Sequence, residues 1–350
     1  MQDEGLVRLG LVGLGGWGEH IALAAQRRPD VEITRCYARS PESRGAFAAR
    51  HGCIPCADYE EMLTDPAIRG IIVMSANRAH REQVVAAARA GKHCLVTKPM
   101  ATSIEDGRAM IDACRAAGVI LTVGHQSRRE PAIRALKQAL EAGELGNPVL
   151  AEANISSGDG LSIEPGQWRW SRDECIGGPL IQLGIHHIDT LQYLLGPIAR
   201  VQGWQRRTQV RAEIDDVTGT LLEFAAGPAG YIGSAYVTGE TCWIKIGGTR
   251  AIAHYDQHVG LTLSHDSWQG GPSRECRAPG MNLRAPISTL QEELAEFVEC
   301  IRTGKPPEID GEAGLRNVAV VLAAVKSGRT GEAVCVDEIL AGESQTLGTG

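Results

Sequence analysis

Three short stretches contain residue types at spacings that could perform chemistry. The first is GLGGWG, in which Gly13, Gly15 and Gly18 have the spacing G-x-G-x-x-G. The second is TKP, which contains Lys98. The third is GGPLIQLGIHHID, residues 177–189, where a glutamine, two adjacent histidines and an aspartate interrupt small and apolar residues. These residue types suit phosphate binding, charge stabilisation and proton transfer, respectively.

The glycine spacing is informative because of the sequence around it. It follows the apolar run VRLGLV, typical of a buried strand, and precedes EHIALAAQ, which has helical spacing. In such a unit Gly13 permits the tight turn, Gly15 lets a pyrophosphate approach the backbone, and Gly18 lets helix and strand pack closely. We therefore predict a dinucleotide-binding turn, in which Gly16 and Trp17 also contact the cofactor.

The end of the next strand predicts which dinucleotide binds. NAD is favoured by an Asp or Glu there, because a carboxylate accepts hydrogen bonds from the ribose 2′-hydroxyl. Here the strand ends in CYARSPESR, which supplies Arg39 and Ser40 instead, with Arg44 as a further candidate. An arginine and a hydroxyl suit a 2′-phosphate. The sequence favours NADP, and the alternative is NAD with a solvated arginine.

Lys98 is the first candidate catalytic residue and is also a candidate contact of the cofactor and of the substrate. It follows an apolar strand and precedes Pro99, and parallel α/β sheets bind ligands at such strand ends. Alcohol oxidation by a nicotinamide cofactor removes a hydride from carbon and a proton from oxygen, and the proton needs an acceptor within about 2.6–3.2 Å. The Lys98 ammonium is expected to donate to the substrate oxygen; the alternative is a surface lysine.

His186 is the second candidate, because its intrinsic pKa lies near neutrality. Gln182 lies four residues earlier, on the same face of a helix, and a glutamine can orient an imidazole or a substrate hydroxyl. His187 points about 100° away and is expected to be structural. Asp189 shares the face of His186 and is expected to support it. The alternative for His186 is a packed core histidine.

Metal and redox chemistry are not predicted. Zinc-binding histidines on a helix usually lie four residues apart, whereas these are adjacent, and His186 with Asp189 gives too few ligands. Cys53 and Cys56 form a C-x-x-C without a second ligand pair, which indicates incidental thiols.

Further binding residues are expected near the same cleft. Trp168 and Arg169, in WRWSRDE, are candidate substrate contacts, because an indole face suits the apolar side of a sugar ring as well as ordinary core packing. Gln126 follows the last parallel strand and is a candidate contact on the nicotinamide side.

The elements that must position these residues divide the chain in two. Strand-like and helix-like segments alternate up to about residue 127, which predicts a doubly wound parallel sheet in a dinucleotide-binding domain, residues 1–127. From residue 128 to 350, β-like runs separated by glycine turns predict an α/β domain with a large, mostly antiparallel open sheet. The histidine segment is expected on a helix between its first two strands.

Composition excludes several classes of protein. A net charge of −7 across 350 residues argues against nucleic acid as the main partner. The apolar stretches are too short to span a bilayer, and the start of the chain lacks a signal-peptide pattern. A cytoplasmic location is therefore expected, and ten cysteines in such a chain are expected to be reduced thiols.

Taken in order, the motifs resemble the Gfo/Idh/MocA oxidoreductases, named for glucose–fructose oxidoreductase and inositol dehydrogenase. The similar runs are GLVGLGGWGEHI, MSANRAHREQVVAAARAGKHCLVTKPMA, VGHQSRREPAIRALK, GGPLIQLGIHHIDTL and EELAEFVECIRTGKPP. The resemblance covers nearly the whole chain. It implies a Rossmann domain followed by an α/β domain whose open sheet forms homodimers or homotetramers.

The resemblance also implies roles for particular residues. Lys98 matches the lysine of the family's E-K-P motif, and His186 matches the histidine of G-x-H-x-x-D. The family's T-P-N-x-x-H segment is similar to Ser75, Asn77 and His80, which would line the nicotinamide side of the cofactor. The chain departs from the family at two positions that usually hold carboxylates. Thr97 stands where glutamate is usual, and Gln182 where many dehydrogenases have aspartate.

These features predict an NAD(P)-dependent oxidoreductase acting on a small molecule: a sugar, a sugar derivative or a cyclic polyol. Lys98 and His186 are expected to act on one substrate oxygen. Two alternatives remain open: a non-catalytic regulatory protein that senses nicotinamide cofactors, and a redox-neutral enzyme that keeps its cofactor tightly bound.

Overall fold

The computed structural model describes residues 5–265, 273–280 and 286–342. It forms two compact units. The first comprises the described residues of Met1–Gln126 and Arg284–Leu315, and the second those of Ser127–Leu283 and Arg316–Gly350.

Strands and helices are numbered in chain order. The strands are β1 (Val7–Val12), β2 (Val31–Tyr37), β3 (Ile54–Pro55), β4 (Gly70–Val73), β5 (His93–Thr97), β6 (Leu121–Gly124), β7 (Pro148–Ser156), β8 (Ile198–Arg206), β9 (Val217–Phe224), β10 (Ala229–Ala235), β11 (Thr241–Gly248), β12 (Ile252–Asp256), β13 (Gly260–His265), β14 (Ser273–Ala278) and β15 (Val334–Cys335). The α-helices are α1 (Gly16–Gln26), α2 (Pro41–His51), α3 (Glu60–Thr64), α4 (His80–Arg89), α5 (Ile104–Ala117), α6 (Pro131–Glu141), α7 (Ile185–Leu195), α8 (Ile287–Thr303), α9 (Gly311–Thr330) and α10 (Val336–Leu340).

The first unit is built on a parallel sheet with the strand order β3-β2-β1-β4-β5-β6. Every residue of β4 and β6 is buried, as expected for strands covered by helices on both faces. The order of the strands reverses between β1 and β4, so the crevice at their carboxyl ends is the position where such sheets bind ligands. The predicted doubly wound sheet is confirmed.

The segment after residue 286 belongs to the first unit, although a boundary at residue 127 assigns it to the second domain. On α8, Leu290, Leu294 and Phe297 lie on one face, at the spacing of successive helical turns, and join the buried cluster that contains Leu9 and Ile72. The amphipathic pattern shows that this helix buries one face, but it does not identify the partner.

The second unit contains a nine-stranded sheet with the order β14-β13-β12-β11-β7-β10-β9-β8-β15. All neighbouring strands are antiparallel except β7 and β10, so the predicted, mostly antiparallel sheet is confirmed. One face is buried, for example at Ala153, Ile244 and Tyr255. The other face leaves large side chains exposed, including Trp204 and Leu221.

None of the described helices has the length and apolar composition needed to cross a membrane.

Candidate active site

The glycine turn joins β1 to α1, and its three glycines have different surroundings. Gly13 has a φ of +89°, and a Cβ there would lie 2.4 Å from the carbonyl carbon of Met74. A Cβ on Gly18 would lie 2.4 Å from the carbonyl oxygen of Gly13. A Cβ on Gly15 would meet no heavy atom within 4 Å apart from its chain neighbours. The fold therefore requires Gly13 and Gly18, whereas Gly15 borders open space.

The first turn of α1 presents backbone N–H groups to that space. Gly15 is the N-cap residue and supplies no side-chain cap. The N–H groups of Gly16, Trp17 and Gly18 belong to the first helical turn, which lacks intrahelical acceptors. The Trp17 ring packs on the buried cluster and meets His20 edge-on, with 5.6 Å between the ring centroids. Trp17 can therefore contribute its backbone here.

These features fit the diphosphate of a dinucleotide. A helix N-terminus without a side-chain cap, next to a glycine that leaves room for a ligand, binds anions through N–H groups and the helix dipole.

The three residues predicted to bind a 2′-phosphate follow β2, with Arg39 and Ser40 in the turn and Arg44 in α2. Arg39 is exposed and makes no hydrogen bond or ion pair with another described residue. Arg44 is used within the fold, because its Nη1 donates to the carbonyl oxygens of Ala38 and Ala57, at 3.0 Å each.

Ser40 is also used within the fold. Its hydroxyl oxygen accepts a hydrogen bond from the backbone N–H of Ser43, 3.1 Å away, and so caps α2. The same hydroxyl donates to the carboxylate of Glu42, 2.7 Å away. This bond lowers the pKa of Glu42. A negative charge therefore lies beside Ser40, and Arg39 is the predicted residue best able to meet a phosphate.

The ends of β4 and β5 are joined by His80, which is fully buried. Its Nδ1 lies 3.1 Å from the carbonyl oxygen of Pro99 and 3.3 Å from that of Met100, and its Nε2 lies 3.1 Å from that of Ser75. Burial lowers the pKa of His80, which favours the neutral ring, and that ring donates its one N–H on one side only. His80 is therefore packed between the backbone that follows β4 and the backbone next to Lys98.

The other predicted residues of this edge are only partly accessible. Lys98 and Thr97 are half-buried at the end of β5. The Ser75 hydroxyl donates to Oε1 of Gln83, 2.6 Å away. Two more predicted cofactor residues, Asn77 and Gln126, are buried and begin short 3-10 helices after their strands.

The histidine segment of the second unit begins with a tight glycine turn. Gly178 has a φ of +55°, and a Cβ there would lie 2.0 Å from the carbonyl oxygen of Asp215. A π-helical turn, Leu180–Gly184, follows and leads into α7. Such turns often occur at functional sites, because they change the direction of side chains within a helix. Gln182 lies in this turn, His186 follows in α7, and both are buried.

Asp189 was expected to support His186, but its partners Arg128 and Asn317, and the contact of Ser127 with His186, were not identified from the sequence. Nδ1 of His186 lies 3.1 Å from the hydroxyl oxygen of Ser127. Arg128 forms two hydrogen bonds with the fully buried Asp189, through Nε at 2.7 Å and through Nη2. Nδ2 of Asn317 also donates to Asp189, over 2.8 Å. Asp189 therefore ties α7 to the turn after β6 and to α9.

His187 points away from this network. Its Nε2 lies 3.0 Å from the carbonyl oxygen of Asn154 on β7. Burial lowers the pKa of His187 to about 4, so the ring is neutral and donates from Nε2. This arrangement is that of a histidine that supports the fold.

The two candidate substrate residues contact each other. The guanidinium of Arg169 lies over the Trp168 ring, 4.4 Å from its centroid, in the 3-10 helix Trp168–Trp170. Trp168 also packs against a small buried cluster that includes Ile163 and Tyr236. Trp168 therefore has a packing role, while Arg169 is exposed.

Across the described residues, no three His, Cys, Asp or Glu side chains converge in a way that could hold a metal ion. All ten cysteines are free thiols, including Cys53 and Cys56.

A parallel sheet with this glycine turn, followed by an open mixed sheet, defines the class of Rossmann-fold oxidoreductases with a second α/β domain. Residues 7–125 match the NAD-binding Rossmann fold of the Gfo/Idh/MocA oxidoreductase family, and residues 137–336 match its C-terminal alpha/beta domain. The chain belongs to this family.

Its relatives include sugar and polyol oxidoreductases. It is 29% identical over 336 residues to 1,5-anhydro-D-fructose reductase of Ensifer adhaerens, covering 94% of this chain and 98% of the relative. It is 28% identical over 351 residues to scyllo-inositol 2-dehydrogenase (NAD(+)) of Bacillus subtilis, covering 95% and 97%.

Solved structures agree with the fold. A protein of Desulfitobacterium hafniense, proposed to be an NADPH-dependent oxidoreductase, is 32% identical with a TM-score of 0.89, covering 96% of this chain and 99% of that one. Levoglucosan dehydrogenase, in complex with NADH and levoglucosan, is 23% identical with a TM-score of 0.86, covering 94% and 99%.

Proposed function

We propose that this protein is an NAD(P)-dependent oxidoreductase. It transfers a hydride between a nicotinamide cofactor and a hydroxyl or carbonyl carbon of a sugar, a sugar derivative or a cyclic polyol. The observation that carries the proposal is the glycine turn, where Gly15 leaves open the space in front of α1. The substrate class is supported by the names of the relatives, which act on anhydrofructose and scyllo-inositol.

The chain's own residues bind the substrate oxygen and move its proton. The nicotinamide, when bound, accepts or supplies the hydride. Lys98 donates a hydrogen bond to the substrate oxygen and so stabilises negative charge on it. His186 exchanges the proton, and Gln182 orients the imidazole or a substrate hydroxyl. Because Gln182 is neutral, it does not stabilise an imidazolium by charge, as an aspartate would.

Arg169 and Trp168 are proposed substrate contacts. Arg169 offers an exposed donor group that suits sugar hydroxyls, and Trp168 holds the Arg169 guanidinium in place by stacking.

NADP is the proposed cofactor, with NAD as the alternative. Arg39 supports NADP because it is exposed and not engaged by other described residues, whereas the Glu42 carboxylate beside Ser40 opposes a phosphate. The relatives are divided: D-xylose 1-dehydrogenase of Haloarcula marismortui is named for NADP(+), and the scyllo-inositol enzyme for NAD(+). The remaining cofactor contacts are proposed to come from the glycine turn and the ends of β4, β5 and β6.

The protein is proposed to be a homodimer or homotetramer that associates through the exposed face of its second sheet. It is also proposed to reside in the cytoplasm, since ten free cysteines suit a reducing compartment.

The function is tested by screening sugars, inositols and ketosugars with NAD and NADP in parallel, for the wild type and for Lys98→Ala. We expect turnover of at least one substrate, and a loss of about 10²–10⁴-fold in kcat for Lys98→Ala, with cofactor binding kept. Lys305→Ala is the matched control, because Lys305 also precedes a proline in the first unit but is exposed.

Two outcomes favour the alternatives. Cofactor binding without turnover of any substrate favours a sensor, in which Lys98→Ala would change nothing. Nicotinamide absorbance that stays with the protein through purification, with one substrate interconverted and no net reduction, favours the redox-neutral enzyme.

A further inference from the structure

Ser127 lies next to His186, the proposed proton-exchanging residue, and the sequence did not predict this contact. It is half-buried in the 3-10 helix Gln126–Arg129, directly after the loop that follows β6. Its hydroxyl oxygen lies 3.1 Å from Nδ1 of His186, and both residues belong to the second unit. The hydroxyl is therefore bonded to one of the two nitrogens through which an imidazole can bind or release a proton.

Neighbouring bonds fix this contact. Arg128, the next residue along the chain, holds Asp189 through two hydrogen bonds. Asp189 lies three residues after His186, on the same face of α7, and is also held by Asn317. The Arg128–Asp189 pair is buried, so removing either charge is costly, and the backbone of Ser127 is anchored beside His186.

We propose that Ser127 is a positioning residue that holds the His186 ring and serves both of its protonation states. The proposal rests on the proposed function, in which His186 exchanges the substrate proton. A serine hydroxyl is both donor and acceptor. It donates to Nδ1 when that nitrogen carries a lone pair, and it accepts from Nδ1–H when the ring is an imidazolium. A proton can then enter or leave at Nε2 while Nδ1 stays bonded.

A serine differs from a carboxylate as a partner of this imidazole. Its hydroxyl lies at Nδ1 of His186 and is neutral. Ser127 therefore supports the imidazolium less strongly than a carboxylate at that position would, and it does not prevent return to the neutral ring. The hydroxyl at Nδ1 suits a ring that both takes up and releases a proton.

The test compares Ser127→Ala with Ser127→Thr, which keeps the hydroxyl. NMR of the imidazole signals follows the titration of His186 and does not require turnover. The His186 signal is assigned as the one that is missing in His186→Gln. We expect Ser127→Ala to lower the His186 midpoint by about one pH unit, because the bond lost from the charged ring is stronger than the bond lost from the neutral ring. Ser127→Thr should stay near the wild type.

Kinetics give the second readout. Ser127→Ala should lower kcat about tenfold, with the Kd for cofactor unchanged and the pH profile of kcat moved by the same amount as the NMR midpoint. Ser264→Ala, at a half-buried serine on β13, is the matched control and should match the wild type.

The proposal is overturned if the His186 titration of Ser127→Ala is that of the wild type, or if Ser127→Thr is as impaired as Ser127→Ala. A wild type that turns over no substrate contradicts the proposed function instead. In that case the NMR titration still decides whether Ser127 controls the imidazole.

Discussion

At the scale of single residues, a buried carboxylic acid gives the molecule a stability that depends on pH. Glu130 is 2% exposed and accepts a hydrogen bond from the hydroxyl of Tyr255, which is also buried. Burial raises the pKa of Glu130 to about 7, from the ordinary value of 4.5. The folded protein therefore holds this proton across a range in which the unfolded chain releases it.

The sign of the effect follows from the raised pKa. Stabilisation by the protonated acid is fully present below pH 4.5 and is lost as the pH rises through 7. The shift corresponds to about 3 kcal/mol. His187 acts in the opposite direction, because its pKa is lowered to about 4 and its neutral ring favours folding at higher pH. The two groups partly cancel in the wild type.

The variant Glu130→Gln separates the contribution of Glu130 from that of His187, because glutamine keeps an acceptor for Tyr255 and does not ionise. We expect the free energy of unfolding of the variant, minus that of the wild type, to rise by about 3 kcal/mol between pH 5 and pH 8. Urea unfolding at several pH values measures it. Glu338→Gln, at an exposed position, should show no such trend. A difference that is constant with pH would mean that Glu130 is ionised in the folded protein.

Residues close together in the chain could be related from the sequence, but contacts between residues far apart in the chain could not. His186 and Gln182 are four residues apart, so helical periodicity alone relates them. Ser127 is separated from His186 by 59 residues, and Tyr255 from Glu130 by 125. Such pairs arise from tertiary packing, and neither spacing nor residue type in the sequence indicates them.

At the scale of elements, the β1–α1 turn separates what the fold needs from what a ligand needs. Gly15 has extended backbone angles, φ −79° and ψ −168°, which any residue can adopt, and its Cβ position is open. Gly15→Val should therefore leave the melting temperature unchanged but raise the Kd for NAD and NADP at least about tenfold, which is 1.4 kcal/mol. Fluorescence titration measures the Kd.

Two glycines provide comparisons for that variant. Gly45, within α2, has open space around it, and Gly45→Ala should leave cofactor binding unchanged and stabilise the helix by about 1 kcal/mol. Gly18→Ala should destabilise the fold itself, because its Cβ meets the Gly13 carbonyl. If Gly15→Val bound cofactor as the wild type does, the diphosphate could not lie at this turn.

Five strands of the first sheet were predictable, because apolar residues dominate them and turn or helix signals bound them. The two-residue strand β3 was not predicted, since both of its residues are exposed and it depends on pairing with β2. The second sheet was predictable as a type but not strand by strand. Its edge pair β13–β14 and the two-residue strand β15 carry weak patterns of their own and depend on pairing with neighbours. The π-helical turn at Gln182 is equally hidden, since QLGIHHIDTLQYLL has ordinary helical spacing.

At the scale of the whole molecule, the second sheet has one face that the described residues leave uncovered. Trp204 is 47% exposed, Leu221 58% and Tyr231 37%. Tyr231 and Leu221 are direct partners on β10 and β9. Trp204 is the partner of Gly219, and its ring occupies the space where a Cβ of Gly219 would lie, on the same face. Contiguous exposed apolar side chains of this kind mark association surfaces in soluble proteins. The proposed homodimer or homotetramer would bury them.

Leu221→Glu tests this association, because Leu221 is central to the face and a charge there is costly to bury against a second copy. We expect the wild type to sediment as a multiple of the 37.4 kDa chain mass, and Leu221→Glu to shift toward the mass of one chain. The melting temperature of the variant should also be lower, because association stabilises the fold. Val259→Glu is the control: Val259 is 55% exposed in the turn between β12 and β13, away from this row of residues, and should keep the wild-type mass. A wild type that is monomeric at micromolar concentration, or a Leu221→Glu protein of unchanged mass, would rule out assembly through this face.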